Sequence, residues 1–431
     1  MLHSLAQELN ETLKNTSALA LFSDLGNRMY FPKGIIAQSG EAKKLGKTAN
    51  ATIGMTVING SPVILPSIQK SVPDFSPREL VAYAPTAGNP DLREIWKEKL
   101  FQKNPALKGK SISLPVVVPG LTAGISYMAD LFLGPEQPLL AANPSWDNYS
   151  LVAETRRGAE FHQFVMFKDG KFNISGLEKA VQKEAATGYV RLLLNFPQNP
   201  SGYSPTHDEA MKICAILKSA AEKGTKLLVV CDDAYFGLNY EADIEPQSLF
   251  AYLADMHENI LAVKIDGPTK EDFVWGYRCG FLTFGCKGFS EEQYNALVKK
   301  LMGIIRSSVS CSSTPTQSML LRAFQDPALE DQKAHFRKVL ESRYKKVKAF
   351  VSSHTSKAVC AMPFNSGYFM SLQLNGIDAE ALRQELLNKK GIGTIAIDKE
   401  TLRIAFSSLD EDKIDAVYSA IYESAEELLR A

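Results

Sequence analysis

Three loops that follow apolar runs carry side chains of the types used in catalysis and anion binding. Asn199 follows one run, Asp232 and Tyr235 follow the next, and Lys270 follows a third, with Arg278 eight residues beyond the lysine. Each has an ordinary explanation when taken alone, as a turn residue, a helix cap or a surface charge. Because ligands of α/β proteins bind at the carboxyl ends of the sheet strands, three such loops in succession indicate a small-molecule site.

The elements that must position these loops are short apolar segments separated by helical patterns. Several of the segments are continuously apolar, as strands buried on both faces are. Segment 208–223 has helical spacing, and Ser175 and Glu178 stand at the spacing of a capping box, which predicts another helix start. This alternation predicts a mostly parallel sheet covered by helices. The predicted strands are 115–118, 138–142, 189–194, 226–231, 260–265 and 279–284.

The two ends of the chain have a different pattern from this middle part. An N-terminal helix is predicted over 5–22, and a long charged helix over 328–353 precedes short strands and a closing helix. We therefore expect residues 1–75 to form an N-terminal arm and part of a smaller α+β domain. Residues 76–325 should form a large domain, and residues 326–431 the rest of the smaller one. A cleft between two domains is a common location for a small-molecule site.

Composition and charge exclude several classes of function. The chain has 431 residues with 48 Lys and Arg against 48 Asp and Glu, and this formal charge of +0 argues against a partner such as nucleic acid or an acidic membrane surface. No stretch approaches the roughly 18 consecutive apolar residues of a membrane span, and the first residues lack the basic and apolar regions of a secretory signal. The six cysteines are scattered without metal-ligand spacing. We expect reduced thiols in or near the core, no metal site and a cytoplasmic location.

Seven motifs, in order along the chain, resemble those of the fold-type I, class I/II aminotransferases that depend on pyridoxal 5'-phosphate (PLP), in particular the aspartate aminotransferase-like group. Asn199-Pro200-Ser201-Gly202, for example, is similar to the Asn-Pro-Thr-Gly of that family. The resemblance runs from about residue 52 to the C-terminus. The motifs are centred on Tyr83, on Trp146, on Asn199, on Asp232 with Tyr235, on Lys270 with Arg278, on Arg306 and on Arg403.

The resemblance implies a fold and an assembly. The expected fold is α/β, with a large domain whose mostly parallel seven-stranded sheet is covered by helices. A smaller α+β domain would be made from the N-terminal segment and the C-terminal part. The expected assembly is a homodimer.

The resemblance also implies which residues hold the cofactor ring. Lys270 would be the catalytic residue, which links covalently to PLP and then carries protons. Asp232 would pair with the pyridine nitrogen, and its negative charge would favour the protonated ring. Tyr235 and Asn199 would bind the phenolic oxygen of the ring, and Trp146 would stack on the ring face.

Two anionic groups, the cofactor phosphate and the substrate carboxylate, need further partners. The start of a helix predicted over 124–133 and a guanidinium group suit a phosphate. Arg403 would bind the substrate α-carboxylate, with Asn199 and Trp146 beside it, and Arg306 would reach a distal carboxylate across the dimer. The implied phosphate-binding residues are Gly120, Leu121, Thr122, Ala123, Arg278 and, from the neighbouring subunit, Tyr83.

The chain departs from the pattern of the family at several positions. Gly267 stands where the family usually has a phosphate-binding Ser, and Leu121 lies within Gly-Leu-Thr where Ser-Gly-Thr is usual. Tyr149 stands where a His usually backs the pyridine-binding carboxylate. Arg306 is followed by Ser-Ser-Val-Ser rather than Tyr-Ser-Asn-Pro, and its alternative explanation is a surface charge at a helix end. The motifs therefore specify the cofactor better than the substrate.

These features predict a PLP-dependent aminotransferase (EC 2.6.1.-) that moves an amino group between an L-amino acid and a 2-oxo acid by a ping-pong mechanism. Aspartate or an aromatic amino acid, with 2-oxoglutarate as acceptor, is the predicted substrate class. A PLP-dependent lyase or decarboxylase on the same scaffold is an alternative, because the motifs do not specify which bond at Cα breaks. A non-catalytic ligand-sensing domain of a transcription regulator is a further alternative, although residues 1–75 contain no basic recognition helix.

Overall fold

The strands of the protein form one large sheet, one smaller sheet and two short hairpins. The computed structural model describes residues 2–30, 57–58, 61–62 and 74–430. The strands in these residues are β1 Val57–Ile58, β2 Ser61–Pro62, β3 Val116–Val118, β4 Leu139–Asn143, β5 Phe161–Val165, β6 Phe167–Lys168, β7 Lys171–Phe172, β8 Tyr189–Asn195, β9 Lys226–Asp232, β10 Ile260–Asp266, β11 Gly280–Gly285, β12 Val359–Ala361, β13 Met370–Leu374, β14 Ile395–Ala396 and β15 Thr401–Ile404.

The large sheet has seven strands in the order β3-β11-β10-β9-β8-β4-β5. All neighbouring pairs are parallel except those of β11, which runs antiparallel to both β10 and β3. Asn195 pairs in register with Asp232, and Asp232 pairs with Ile265. The carboxyl ends of β8, β9 and β10 therefore lie side by side, and the three loops that carry the predicted site begin at one edge.

Helices cover this sheet and fill the connections between its strands. The α-helices in the described residues are Ser4–Thr12, Ser17–Leu21, Asp24–Arg28, Pro77–Leu80, Pro90–Lys103, Leu121–Phe132, Asn148–Ser150, Ile174–Ala185, His207–Glu222, Leu249–Leu253, Pro268–Glu271, Glu291–Ser308, Thr314–Gln325, Leu329–Ser353, Ala379–Glu385 and Ile414–Arg430. Shorter 3-10 or π turns lie at Pro105–Leu107, Leu151–Arg156, Trp275–Tyr277, Leu386–Lys390, Phe406–Ser408 and Glu411–Lys413.

The large sheet is buried on both faces, as its apolar runs predict. In β9, Leu227 and Val229 belong to one hydrophobic core, whereas Leu228 and Val230 belong to the other. Successive side chains of a strand point to opposite faces, so a strand between two cores has to be apolar at every position. The mostly parallel α/β fold predicted from the sequence is confirmed.

The six predicted strands are all present, but the seventh strand of the sheet, β5, carried no clear signal. Its sequence includes His162 and Gln163, and Val165 is 62% exposed. The strand lies at the edge of the sheet beside β4. An edge strand faces water on part of its surface, so it lacks the continuous apolar run by which the central strands are recognised.

Three helix predictions differ from the structure in their ends. The predicted helix 5–22 is two helices, because Asn15 adopts a left-handed conformation with φ of 63°. The helix Ile174–Ala185 is capped by Asn173, which accepts a hydrogen bond from Gly176 N, and not by Ser175. The helix predicted over 124–133 begins at Leu121, directly after Gly120.

The C-terminal part contains a second sheet, whose order is β12-β13-β15-β14 and whose pairs are all antiparallel. It follows the helix Leu329–Ser353, which agrees closely with the predicted helix 328–353. Met370 pairs with Ile404, and Ser371 with Arg403. This register places Arg403 on an inner strand of the sheet, next to the segment that contains Phe369.

The described part of the N-terminal segment packs against the helices of the large sheet. Leu21 O accepts from Arg191 Nη2 in β8 at 3.1 Å, and Ser23 N donates to Leu131 O at 2.7 Å. Lys300 Nζ donates to Gly26 O at 2.9 Å. Residues 1, 31–56, 59–60 and 63–73 lie outside the described residues. The assignment of residues 1–75 to an N-terminal arm and part of the smaller domain stays a prediction.

The cysteines and the helices bear on two further expectations. All six cysteines are free, and Cys214, Cys231, Cys279 and Cys286 are buried. Cys360 is exposed, which differs from the expected position in or near the core. Within the described residues, no helix is long and apolar enough to cross a membrane.

One buried group of charges interrupts the apolar interior beneath the strand ends. The Lys264 ammonium group, on β10, donates to Asp233 and lies 3.5 Å from the Asp266 carboxylate. Trp96 Nε1 donates to Asp266 Oδ1 at 3.1 Å. Burial raises the pKa of Asp266 to about 6, although the charge of Lys264 opposes the rise.

This raised pKa predicts a pH dependence of stability. An Asp in an unfolded chain titrates near pKa ~3.9, so between about pH 4 and pH 6 the folded chain binds more protons. The free energy of unfolding should therefore fall as pH rises through that window. Asp266→Asn should make this slope shallower in urea unfolding followed at half-unit pH intervals, because one carboxyl group of raised pKa is removed. Asp169→Asn, at an exposed turn, should retain it, and an unchanged slope in Asp266→Asn would contradict the assignment.

Candidate functional site

A cavity of about 290 Å³ opens at the carboxyl ends of β8, β9 and β10. It contains nine of the residues predicted from the sequence, together with residues that were not predicted. Its wall is formed by Leu121, Thr122, Ile125, Trp146, Tyr149, Asn195, Asn199, Asp232, Ala234, Tyr235, Thr269, Lys270, Arg278, Phe369 and Arg403. Residues separated by up to 282 positions in the sequence are thus brought around one volume.

The carboxylate of Asp232 forms the floor of the cavity. Tyr149 Oη donates to Asp232 Oδ2 at 2.5 Å, and Ala234 N donates to Oδ1 at 3.2 Å. Burial raises the pKa of Asp232, while the Tyr149 hydrogen bond and the charge of Lys270 act in the opposite direction. Burial also raises the pKa of Tyr149 well above its usual range, and the Asp232 charge adds to this rise. The phenol therefore keeps its proton and donates a hydrogen bond to the carboxylate.

Lys270 lies on the single-turn helix Pro268–Glu271. Its ammonium nitrogen lies 4.8 Å from the centre of the Tyr235 ring. Burial lowers the pKa of Lys270 and the charge of Arg278 lowers it further, whereas Asp232 raises it. A lysine with a lowered pKa has a larger neutral fraction near neutral pH, as a nucleophile or a proton acceptor requires.

The part of the cavity wall formed by Leu121, Thr122 and Arg278 is suited to an anion. The helix Leu121–Phe132 begins there, and the first N–H groups of a helix have no partner within the helix and point outwards. Gly120, at its N-cap, has φ of 91°, and a Cβ atom at this position would lie 2.5 Å from Arg278 Nη2. Glycine is therefore required for the close approach of Arg278 to the helix start. Gly120 and Ala123 support this end without lining the cavity.

Gly267 explains one departure from the family pattern by packing. A Cβ atom there would lie 2.9 Å from Gly280 Cα and 3.1 Å from Leu121 Cδ1. The space that a side chain at 267 would need is taken by the backbone of β11 and by Leu121. The two departures from the family pattern, Gly267 and Leu121, are thus related, because the Leu121 side chain occupies space that a side chain at 267 would need.

Arg403 faces the cavity from the second sheet. Its Nη1 donates to Asn199 Oδ1 at 2.9 Å, and its guanidinium carbon lies 4.3 Å from the centre of the Phe369 ring. Arg403 Nε is buried and has no hydrogen-bond partner in the described part of the chain. Burial lowers the pKa of Arg403. A buried guanidinium with a free donor is a binding group for a carboxylate.

Asn195 was missed by the sequence analysis, although it joins two residues that were predicted. Its Nδ2 donates to Asp232 O at 2.7 Å, and its Oδ1 accepts from Asn199 N at 2.9 Å. It could have been found as a polar residue that ends a fully apolar strand. Ile125, Thr269 and Phe369 carried no comparable signal.

Tyr83 and Arg306 do not line the cavity. Tyr83 is 71% exposed. Arg306 lies in the last turn of the helix Glu291–Ser308, and its Nη1 donates to Ser310 Oγ at 2.9 Å. The fold of one chain therefore brings together nine of the predicted residues around the cavity and leaves these two outside it.

The sequence as a whole matches a family consistent with this geometry. The model of the family described as aminotransferase class I and II matches residues 57–421. The chain belongs to this family. Enzymes of this family use PLP as their cofactor. The cavity fits PLP, because its wall contains a buried carboxylate, a lysine of lowered pKa and a helix start with Arg278 beside it.

Individual relatives are distant from this aminotransferase-family chain. The aspartate aminotransferase of Musicola paradisiaca is 28% identical over 202 residues, which cover 46% of this chain and 47% of that protein. A probable aspartate/prephenate aminotransferase of Rhizobium leguminosarum is 25% identical over 280 residues, covering 61% and 62%. The matched part thus spans about half to three fifths of the length of these two curated relatives.

Solved structures show the same fold over nearly the whole chain. An aminotransferase from Anaerococcus prevotii has a TM-score of 0.73 at 23% identity, covering 94% of this chain and 96% of that one. The kynurenine aminotransferase of Pyrococcus horikoshii, solved in complex with PMP, has a TM-score of 0.70 at 19% identity, covering 100% and 96%. The family fold with a large and a small domain is confirmed.

The hydrogen bond from Tyr149 to Asp232 predicts a loss of cofactor affinity when the phenol is removed. Tyr149→Phe keeps the ring but leaves Asp232 Oδ2 without its donor, so we expect about tenfold weaker PLP binding, or about 1.4 kcal/mol. Fluorescence titration of the full chain with PLP measures this. The matched control is Tyr418→Phe, which removes a buried hydroxyl that has no partner in the described residues. Equal affinities of the two variants would contradict the role of Tyr149.

The close packing of Gly267 predicts that the hydroxyl of the family pattern cannot simply be restored. Gly267→Ser should lower the free energy of unfolding by about 1–3 kcal/mol, because the new Cβ meets backbone atoms of β11. Gly276→Ser, whose new Cβ would have no neighbour within 4 Å among the described residues, is the control. Urea unfolding compares the two, and a Gly267→Ser variant as stable as the control would refute the packing explanation.

Proposed function

We propose that the protein is a PLP-dependent aminotransferase that moves an amino group between an L-amino acid and a 2-oxo acid. The single observation that carries the proposal is the cavity, whose wall includes Lys270 of lowered pKa, the Asp232 carboxylate and Arg278. Membership of the aminotransferase class I and II family supports it. A ping-pong course, with two half-reactions at one site, follows from this reaction.

PLP, when bound, supplies an electron sink that stabilises negative charge on the substrate Cα. In the proposal, Asp232 holds the ring nitrogen, and Tyr235 and Asn199 bind the phenolic oxygen. Trp146 would stack on the ring face, and its own ring meets the Tyr149 ring edge-on, with ring centres 5.4 Å apart. Tyr149 thereby supports both the carboxylate and the stacking aromatic residue.

The phosphate of the cofactor would bind at the N-terminal end of the helix Leu121–Phe132. Backbone N–H groups of the first turn, the Thr122 hydroxyl and the Arg278 guanidinium are the donors of this chain. Gly120, Leu121 and Ala123 shape the turn. Because Gly267 brings no hydroxyl, the charge of Arg278 would carry a larger share of the phosphate binding.

Lys270 is the proposed catalytic residue. With cofactor and substrate held in the cavity, the neutral amine of Lys270 would be the group that accepts the proton of the substrate Cα and later donates it. Burial and Arg278 favour the neutral amine, as this task requires. Arg403 binds the α-carboxylate through its free donors, and Asn199 fixes the orientation of the guanidinium group.

The proposed assembly is a homodimer in which Tyr83 and Arg306 reach the neighbouring site. Their positions outside the cavity of their own chain, and the exposure of Tyr83, support this part of the proposal. Arg306 would meet a distal carboxylate, so aspartate or an aromatic amino acid is the proposed donor and 2-oxoglutarate the proposed acceptor. The division into residues 76–325 and 326–431, with 1–75 as arm, and the cytoplasmic location belong to the same proposal.

A panel of single amino donors with 2-oxoglutarate tests the proposal. We expect a paired 2-oxo acid and glutamate from at least one donor, and loss of turnover by at least a thousandfold in Lys270→Ala. Arg306→Ala should raise KM for dicarboxylic substrates and leave monocarboxylic ones unchanged. Release of CO2 or ammonia without an oxo-acid requirement would establish the lyase or decarboxylase alternative instead. Unchanged dicarboxylate turnover in Arg306→Ala would remove its assigned role.

A further inference from the structure

The residues that follow Lys270 in sequence belong to a cluster of four largely buried charges that the proposed reaction does not use. Glu271 and Asp272 follow the lysine in sequence, and their side chains are only 15% and 4% exposed. Lys103, from the helix Pro90–Lys103, and Lys333, from the helix Leu329–Ser353, face them. We call this group the Lys333 cluster.

The cluster is held by short ion pairs. Glu271 Oε1 lies 2.6 Å from Lys103 Nζ and 3.4 Å from Lys333 Nζ. Asp272 Oδ1 lies 2.9 Å from Lys333 Nζ, and neither Asp272 oxygen accepts a well-directed hydrogen bond within the described part of the chain. Lys333 is therefore the group that compensates the burial of Asp272. Further out, Glu330 lies 3.6 Å from Lys333 and 3.1 Å from Lys99.

Two carboxylates and two ammonium groups make the buried centre of the cluster electrically neutral. The charges of Lys103 and Lys333 lower the pKa of Glu271 against the effect of its burial. Burial and the neighbouring Glu271 raise the pKa of Asp272, and Lys333 opposes this rise. Removal of one member would leave an uncompensated charge on the segment that directly follows Lys270.

Three contacts connect the turn of Lys270 to the C-terminal part of the chain. The first is the ion pair between Lys333 and Asp272. In the second, Tyr368 Oη donates to Lys270 O at 2.9 Å. Phe273 meets Phe336, which lies three residues after Lys333 on the same helix, with ring centres 5.3 Å apart. The backbone at Lys270 is thus held from the side of the smaller sheet.

We propose that Lys333 is a positioning residue for Lys270. Lys333 neutralises the carboxylates of Glu271 and Asp272, and it ties the turn of Lys270 to the helix Leu329–Ser353. This role rests on the proposed function, in which Lys270 performs the chemistry. The other charged groups that face Lys270 are Asp232 and Arg278, and Tyr235 faces it with its ring. None of these belongs to the cluster, so the charge of the cluster can be changed separately.

The test measures the pKa of Lys270 in the full chain prepared without cofactor. The rate of acetylation of Lys270 by acetic anhydride is followed against pH by peptide mass spectrometry. Lys333→Met leaves one extra negative charge near the turn that carries Lys270, which favours the ammonium form at long range, so the pKa should rise by about half a unit and labelling near pH 8 should slow about threefold. Asp272→Asn leaves one extra positive charge and should shift the pKa in the opposite direction.

Two further variants separate the charge effect from a general loss of structure. The double variant Lys333→Met with Asp272→Asn is neutral again, and its labelling rate should return to within about twofold of the original. Lys333→Arg keeps the charge and should behave like the unchanged chain. Lys345→Met removes an exposed ion pair with Glu341 on the same helix and serves as the matched control.

Defined results would overturn the proposal. The proposal fails if Lys333→Met and Asp272→Asn both fold and the pKa of Lys270 is unchanged in each. It also fails if the pKa of Lys270 is shifted as strongly in the double variant as in Lys333→Met. If Lys333→Met does not fold, the sign of the shift in Asp272→Asn decides. Because labelling needs neither PLP nor substrate, a failure of transamination in the donor panel would refute the proposed function and leave this measurement intact.

Discussion

A buried carboxylate at the end of β9 is the constraint on which the site depends. Placing the charge of Asp232 away from water costs several kcal/mol unless donors and cations surround it. Tyr149, the N–H of Ala234 and the charge of Lys270 provide this compensation from separate segments. The register of β8, β9 and β10 is what brings those segments together. A shift of one residue in either pairing would separate the carboxylate from its partners.

The same constraint explains how a chain of zero net charge produces a strongly polar site. Lys270, Arg278 and Arg403 concentrate positive charge around a cavity that holds one carboxylate, and the balance is restored elsewhere on the protein. Burial then decides the protonation states, since it lowers the pKa of Lys270 and raises that of Asp232. The attraction between the two opposite charges works against both shifts.

The smaller sheet completes the site rather than merely covering it. Arg403 comes from β15, and Phe369, over which its guanidinium lies, precedes β13. The hydrogen bond between Arg403 and Asn199 joins residues 204 positions apart. Tyr368 and Lys333 contact the turn of Lys270 from the same side. The positions of Arg403 and of the proposed catalytic lysine therefore both depend on contacts with the C-terminal part of the chain.

Much of this could be predicted because burial on two faces leaves a strong trace in sequence. The continuous apolar runs of β8, β9 and β10 located the central strands, and the polar residues that follow them located Asn199, Asp232 and Lys270. The edge strand β5 was not predicted, because a strand that is partly exposed to water does not need a continuous apolar run. The break at Asn15 escaped because a left-handed residue inside a helical period leaves no periodic signal.

The parallel α/β architecture, the order of the loops and the residue types of the candidate site could be read from the sequence, because they follow from local patterns of apolar and polar residues. Three contacts became visible only in the folded chain: Asn195 joins Asp232 to Asn199, Gly267 packs against Gly280 and Leu121, and Lys333 faces the carboxylates of Glu271 and Asp272. All three have the same origin. Contacts between distant segments are set by strand register and side-chain packing, which no local pattern of residues contains.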